Sequence, residues 1–508
     1  MQYGFVLDHR KCIGCHACTV ACKSENDVPV GDFRTWVKYT EIGEFPAVKR
    51  HFAVLRCNHC TNAPCVTICP VNALEKRDDG IVDLDRDACI GCKACMQACP
   101  YDAIYLNEDK GAAEKCHYCA HRVEQNLEPA CVVVCPERAI IPGDLHDPNS
   151  EIAKLAALDG SVVRRPEQGT GPNVHYLGVD PVSLHPGMAA EPDTYIWSER
   201  RLPAPDYPSQ AAFDTAPNAR TVLDVNHDVR WGTKVSAYLV TKGIAAGAAL
   251  IAPFVSTIGF TGTAGAWAPE VVALLFTAIT TALLVLDLKR PQYFFRLLTR
   301  PNLKSWLVRG GFVLMGFSGL TTVILIARAA GQTEFADALR WPNALLGWAT
   351  AVYTAFLFAQ CEGRDLWQQP RRLVVHLTAQ ALMCGGFALL PFACSAGGAP
   401  TMMLLALVGT VVHVLLAFGE LHTEHETENA KQAASLLPRI KVTADGELRA
   451  FPIGLAGSVL AALVGFALTA SGAAAAPFLA VVLALVSFGA LFLYEQAFVR
   501  AAQIPPLS

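Results

Sequence analysis

The chain has 508 residues, of which 17% are charged, with a formal net charge of -4 and a mean hydropathy of +0.32. It is too apolar to be soluble throughout and long enough for two or three domains. The apolar excess sits in residues 236–498, and the first half has no basic stripe interleaved with aromatics, which speaks against nucleic acid as a partner.

Four cysteine quadruplets fill the first 135 residues: Cys12, Cys15, Cys18, Cys22; Cys57, Cys60, Cys65, Cys69; Cys89, Cys92, Cys95, Cys99; and Cys116, Cys119, Cys131, Cys135. The third repeats the C-x2-C-x2-C-x3-C run of bacterial ferredoxins and is followed by Pro100. Three cysteines two residues apart wrap one iron-sulfur cube. The fourth is expected to start a helix that aims its sulfur at the neighbouring cluster. Zinc closes with four ligands from two pairs and does not call for such runs, and the N-terminus lacks the apolar segment of a secretory signal that would favour disulfides. The reading is sixteen ligands for four clusters. Residues 1–145 are then an α+β double-ferredoxin iron-sulfur domain with strands at Met1 to Leu7, Ala53 to Arg56 and Gly80 to Leu84. Metal bonds cross-link it, so the apo form is expected to be mostly unfolded.

The runs Cys12-Ile-Gly-Cys15-His-Ala-Cys18 with Cys22-Lys23-Ser24-Glu25-Asn26, and Arg56-Cys57-Asn58-His59-Cys60 with Ala63-Pro64-Cys65 and Cys69-Pro70, resemble the electron-transfer subunits of molybdopterin oxidoreductases such as dimethyl sulfoxide, polysulfide and nitrate reductases. The resemblance implies shared ligands: Cys12, Cys15, Cys18 with Cys135; Cys116, Cys119, Cys131 with Cys22; Cys57, Cys60, Cys65 with Cys99; and Cys89, Cys92, Cys95 with Cys69. It implies that all four clusters are [4Fe-4S].

Residues 146–235 are proline-rich without a sustained period and read as an extended wrap and linker, with a last strand over Asn173 to Gly178. Eight stretches then meet the length of a membrane-spanning helix, at 236–260, 268–288, 305–330, 342–361, 371–394, 400–420, 451–471 and 475–498. They predict an all-α eight-helix transmembrane bundle in a lipid bilayer. Lys242 to Gly247, Leu286 to Pro291, Arg300 to Ser305, and Tyr353-Thr354 with Phe356 leading to Leu366-Trp367 resemble the membrane subunit of polysulfide reductase and its NrfD-type relatives. The chain thus looks like a fusion of a cluster subunit with a membrane anchor. An even number of spans puts the linker and C-terminus on one side, together with Lys289, Arg290, Arg296, Arg300, Lys304, Arg364, Arg371, Arg372, Lys431, Arg439, Lys441 and Arg449. Arg340 is expected in a loop on the other side, and Arg328 near the end of a span. The positive-inside rule places the ferredoxin domain in the cytoplasm, at a bacterial inner membrane.

Ionisable groups inside spans are functional candidates. Lys242, Asp287, His413 and Glu420 are selected for a quinone headgroup or a proton path. Asp287 is expected to pair with Arg290, while Glu362 and Glu495 are expected to reach the interface. Two haems would need four axial ligands, and only His376 and His413 lie inside spans, so no haem is expected. Cys361, Cys384 and Cys394 are read as packing residues. The resemblance implies electron transfer through four clusters between a separate catalytic molybdopterin subunit and membrane quinone. The quinone site is placed among the first four spans near their ferredoxin-side ends, with Tyr293 and Trp306 as lining residues. The alternatives are a redox-driven ion-translocating module and a purely structural anchor.

Overall fold

Wrapping a cysteine loop around a cluster-sized space requires left-handed backbone, and the sequence supplies it at repeated positions. Gly14 and Gly91 have φ of 72° and 69°, and the residue after the second cysteine, His16 or Lys93, has φ of 61° or 65°. The first and third loops therefore share one conformation. The reversal at His16 and Lys93 starts the helices Ala17–Asn26 and Ala94–Ala98 just before the third cysteine. The expectation that the fourth cysteine starts a helix is thereby corrected: Cys22 lies within its helix, and Cys99 and Cys69 close the helices Ala94–Ala98 and Pro64–Ile68.

The computed structural model describes residues 1–190, 218–226, 229–443, 446–470 and 477–507. In the first domain, Tyr3–Asp8 pairs antiparallel with Ile140–Asp144 and parallel with Val174–Leu177, with Phe5 opposite both Pro142 and Val174. Val162–Val163 extends the sheet beyond Val174–Leu177. A second sheet has the order Ala219–Leu223, Thr35–Ile42, Lys49–Arg56. Segments after residue 145 thus return to the cluster domain as strands and cover its core of Phe5, Trp36, Leu55, Tyr118 and Tyr176. The proline-rich part with Pro192, Pro203, Pro205, Pro208 and Pro217 lies outside the described residues.

The membrane half is an eight-helix bundle: α1 Thr233–Ile251, α2 Gly262–Asp287, α3 Trp306–Ala329, α4 Thr333–Ala359, α5 Pro370–Ala396, α6 Ala399–His422, α7 Ala450–Ala470 and α8 Pro477–Ala501. Seven are long and apolar enough to cross a membrane on length and composition alone. The exception, α4, carries Glu334, Asp337 and Arg340 in its first turns and begins nine residues before the expected span. The chain is a multi-pass membrane protein. Helices α1 and α5 are the most enclosed, and they cross closely because a Cβ at Gly247 would stand 2.6 Å from the Gly385 nitrogen. Small residues at such crossings let dispersion hold helices that water does not drive together. Helices α2 and α3 expose Leu275, Ile279, Phe312 and Ile326 outward, as a lipid-facing surface requires.

Arg340 is not in a loop. It is buried within α4 and pairs with the buried Glu270 of α2 at 2.6 Å, since a charge held at that depth must find a partner inside the protein.

Candidate functional site

Two of the four cysteine groupings each line a small enclosed cavity: Cys57, Cys60, Cys65 and Cys99 around one, Cys22, Cys116, Cys119 and Cys131 around the other. In a third grouping, Cys69, Cys89, Cys92 and Cys95 are mutual electrostatic neighbours, and in the fourth Cys12 has Cys135 and Cys15 as neighbours. The sets also adjoin one another in order, through Cys95 with Cys65, Cys57 with Cys116, and Cys18 with Cys131. They form a single file from the membrane outward.

The donor chemistry fits iron-sulfur clusters: each grouping offers four soft sulfur ligands. Burial pushes the Cys60 and Cys92 thiols up to about 12 and the Cys99 and Cys119 thiols up to about 11. They stay protonated at neutral pH until a metal displaces the proton. Cations are buried among the sets, Arg56 and Lys115 among them. Arg56 is fully buried, donates to Cys131 Sγ at 3.4 Å and lies over the Phe5 ring. Burial opposes its charge, but Cys131, Cys116 and Cys18 outweigh that and hold its pKa above the ordinary arginine value. Lys115 is buried between Cys57 and Cys116, and its ammonium donates to the Cys116 carbonyl at 2.8 Å.

The inner end of the file is pressed onto the bundle. Asn302 Nδ2 donates to the Cys69 carbonyl at 2.8 Å, Arg290 donates to the Arg86 and Lys110 carbonyls, and Trp231 Nε1 donates to the Cys92 carbonyl at 3.3 Å. Asp287 pairs with Lys93, next to Cys92, at 3.0 Å. The expected Asp287–Arg290 pair is replaced because the third cysteine loop lies closer and presents Lys93 directly to the end of α2. Gln503 ties the C-terminal segment to the same junction, its Nε2 donating to the Trp231 carbonyl and its Oε1 accepting from Gln97.

Beneath Cys92 a cavity of about 270 Å³ opens between α1, α2, α3 and α4. It is walled by Trp231, Tyr238, Leu284, Phe294, Phe312, Met315, Tyr353 and Leu357, with Asp287 and Ser318 among its few polar groups. Tyr293 and Trp306 do not line it: Tyr293 lies under Arg296, and Trp306 stacks on Phe356 at 4.5 Å. Lys242 is buried directly behind the cavity, donates to Thr354 Oγ1, and has its ammonium 4.7 Å from the Tyr353 ring centre and 5.8 Å from that of Tyr238. His413 and Glu420 are elsewhere. His413 Nδ1 and His376 Nε2 are 2.7 Å apart between α5 and α6, and Glu420 pairs with Arg372 at 3.3 Å near the end of α6. Of the four selected membrane residues, Asp287 lines the cavity and Lys242 stands one layer behind it.

Residues 221–502 match the family described as polysulphide reductase, NrfD, and residues 48–145 match a 4Fe-4S dicluster domain. The chain belongs to the polysulphide reductase NrfD family. Within this NrfD-family chain, the similarity to a tetrathionate reductase subunit of Salmonella typhimurium is 44% identity over 203 residues, covering 39% of this chain and 80% of the relative. The iron-sulfur subunit of the arsenate respiratory reductase of a Shewanella species is 35% identical over 225 residues, covering 35% and 96%. The electron transfer subunit of the thiosulfate reductase of Salmonella typhi is 43% identical over 173 residues, covering 34% and 88%. The fusion expected from the sequence is thus what the comparisons show.

Sequence reasoning missed several residues of this NrfD-family site. Glu495 does not reach the interface; it is buried and accepts from Gln380 Nε2 at 2.6 Å. The end of α8 is sealed by the docked cluster domain and the turn at Gln503, so nearness to a helix end does not mean water. Glu270, inside the second span, carried the signal of an intramembrane charge but was not counted. Trp231 and Tyr238 gave no signal beyond being aromatic, whereas Tyr353 belongs to the Tyr353-Thr354 run that carries the family resemblance. Glu362 lies half-buried in the α4–α5 loop, where burial pushes its carboxyl pKa up.

Proposed function

We propose that this chain carries electrons through four [4Fe-4S] clusters between a separate catalytic molybdopterin subunit and a membrane quinone held in the cavity beside Cys92. The observation that carries the reading is that the file of cysteine sets ends at Cys92, and Cys92 itself lines the cavity. The cluster ligands are the sixteen cysteines in the pairing implied by the family: Cys12, Cys15, Cys18, Cys135; Cys22, Cys116, Cys119, Cys131; Cys57, Cys60, Cys65, Cys99; and Cys69, Cys89, Cys92, Cys95. Bound clusters supply one-electron exchange, and their potentials follow local charge and hydrogen bonds. The protein's own residues do the rest. Arg56 and Lys115 compensate negative charge inside the file, and the Lys93–Asp287 pair fixes the third loop against α2. The aromatic walls exclude water from a flat ring, as apolar pockets with few polar groups do.

The outer end of the file suits a protein partner. Cys15 is exposed, and Ile13, Val20, Val133 and Val134 are exposed large apolar side chains on the loops and helices of the two outermost cysteine sets. An apolar patch of this kind marks an interaction surface. The basic loops on the ferredoxin domain's side of the bundle support a position on the cytoplasmic face of a bacterial inner membrane. The units are residues 1–145 as cluster domain, 146–235 as wrap and linker, and 236–498 as anchor.

Gly311 of α3 tests the reading, because it lines the cavity and a Cβ there would meet nothing within 4 Å. In Gly311→Leu the side chain fills the cavity without disturbing neighbours. Anaerobically reduced protein mixed with a short-chain quinone is expected to reoxidise at least tenfold more slowly in Gly311→Leu than in wild type. Gly316→Leu, on the same helix with equally open space, serves as the control and should match wild type. Equal rates in all three would refute the quinone site.

A further inference from the structure

We infer that the protons of quinone reduction reach the cavity from the ferredoxin side of the membrane, along a buried file from Glu420 through the His413–His376 pair and Glu495 to Lys242. The inference rests on the cavity being the quinone site. Reduction of one quinone takes two electrons and two protons, one hydrogen to each carbonyl oxygen. The electrons arrive through the Cys92 set, and the protons need a route of their own, since the cavity walls are almost wholly apolar.

The ionisable side chains of the bundle supply one. The end of α6 and the α6–α7 connection expose His422, Glu424 and Glu426 at the ferredoxin-side surface, and His425 Nε2 meets the Glu420 carbonyl at 2.9 Å. Glu420 is largely buried against Arg372. The Tyr494 hydroxyl lies within electrostatic reach of both Glu420 and Glu495, and its ring packs on His413 with centroids 4.6 Å apart. His413 Nδ1 meets His376 Nε2 at 2.7 Å, and His413 Nε2 is buried with no hydrogen-bond partner among the described residues. Between His376 and the Gln380–Glu495 pair there is a cavity of about 10 Å³, the size at which one water begins to fit. Glu495 is the carboxylate that acts on the Lys242 ammonium, and Lys242 faces the backs of Tyr238 and Tyr353. The His413–His376 step is a direct contact, the step from His376 to Glu495 has room for a single water, and Glu420, Tyr494, Glu495 and Lys242 are successive electrostatic neighbours.

Among the described residues the opposite face offers no equivalent. The charged groups inside the helices there are Glu334, Glu270, Arg328, Asp337 and Arg340, and Arg340 is held by Glu270 and Asp337 while Arg328 is held by Asp337. From Arg340 to Tyr353, α4 runs about 20 Å without an acidic or basic side chain. Nor does α2 carry one between Glu270 and Asp287, or α1 after Lys242. Electrons and protons therefore enter from the same side, and quinone turnover moves no net charge across the membrane.

The full chain with its clusters, reconstituted in vesicles with quinone in the bilayer, a pH dye trapped inside and valinomycin with potassium present, decides the matter. A reductant that cannot cross the bilayer, added outside, reaches only molecules whose ferredoxin domain faces out. The expected result is quinone reduction with no change of interior pH. Interior alkalinisation approaching two protons per quinone would overturn the inference and leave the quinone site standing. A complete lack of quinone reduction by the wild type would overturn both. Glu495→Gln is expected to slow quinone reduction at least tenfold while cluster reduction by the same agent is unchanged, and Glu495→Asp to restore most of the rate. A wild-type rate in Glu495→Gln would also overturn the path.

Discussion

The two halves of this chain solve the problem of burying charge in opposite ways. In the cluster domain, sixteen cysteines and the cations Arg56, Lys115 and Lys93 are interleaved, so that each cysteine set has a positive neighbour. In the bundle, ionisable groups are sparse and sorted by depth: Lys242, Glu495, His376, His413 and Glu420 toward the ferredoxin side, Glu270 and Arg340 toward the other. The first arrangement needs a metal to be stable, because thiols that burial holds protonated gain their charge only on ligation. The second needs only packing, of the kind seen where Gly247 meets Gly385. Redox centres can be stacked where metal bonds replace a large apolar core, whereas a proton path is kept narrow by the cost of each polar group in hydrocarbon.

The sharpest way to break this contrast is to remove the metal. Chelation of the iron is expected to unfold the first domain, seen as protease cleavage throughout residues 1–190, while the bundle keeps its helical circular dichroism in detergent. Loss of both together would mean the halves are not stabilised independently. The holoprotein should carry about sixteen iron atoms per chain on the rule of four per cube, and a value near half that would leave two cysteine sets without clusters. Next in size is Cys131→Ala, which should remove one cluster and interrupt the file. Quinone should still oxidise the inner clusters, but exchange with a donor docked at Cys15 should fall by orders of magnitude, as read by rapid-freeze paramagnetic resonance.

Smaller effects test the interleaved charges. Arg56→Met removes a cation beside Cys131, Cys116 and Cys18, so reduction there becomes harder and the potentials of the outer clusters should fall by about 60 mV, a tenfold change in a one-electron equilibrium. Asp287→Asn takes a negative charge away from Lys93 beside Cys92. The inner cluster's potential should rise, and by less, because Asp287 is partly exposed where Arg56 is not. Redox titration followed by paramagnetic resonance reads both signs. Two shifts of the same sign would dismiss the charge-compensation account.

What was legible in the sequence follows the same division. The cysteine sets could be read because metal coordination fixes spacing along the chain, and the spans because lipid demands about twenty apolar residues in a row. The partners of single charges could not be read. Lys93 and Asp287 are separated by nearly two hundred residues and meet only because the domains dock. Tyr238 and Tyr353 line the cavity because α1 and α4 lie side by side, and hydropathy carries no trace of which helices are neighbours. Glu495 was misjudged because distance from a helix end is a poor guide to water when another domain caps that end.

The central claim, that the file of clusters ends at a quinone pocket beside Cys92, is tested most directly by a photoreactive quinone bound to the intact protein in the dark and mapped by mass spectrometry after illumination. The account predicts labels on the wall residues of α1, α3 and α4, at 235–238, 307–318 and 353–357, and their loss when excess unlabelled quinone is present. Labels confined to α6, α7 and α8, or labelling that excess quinone does not compete away, would contradict it.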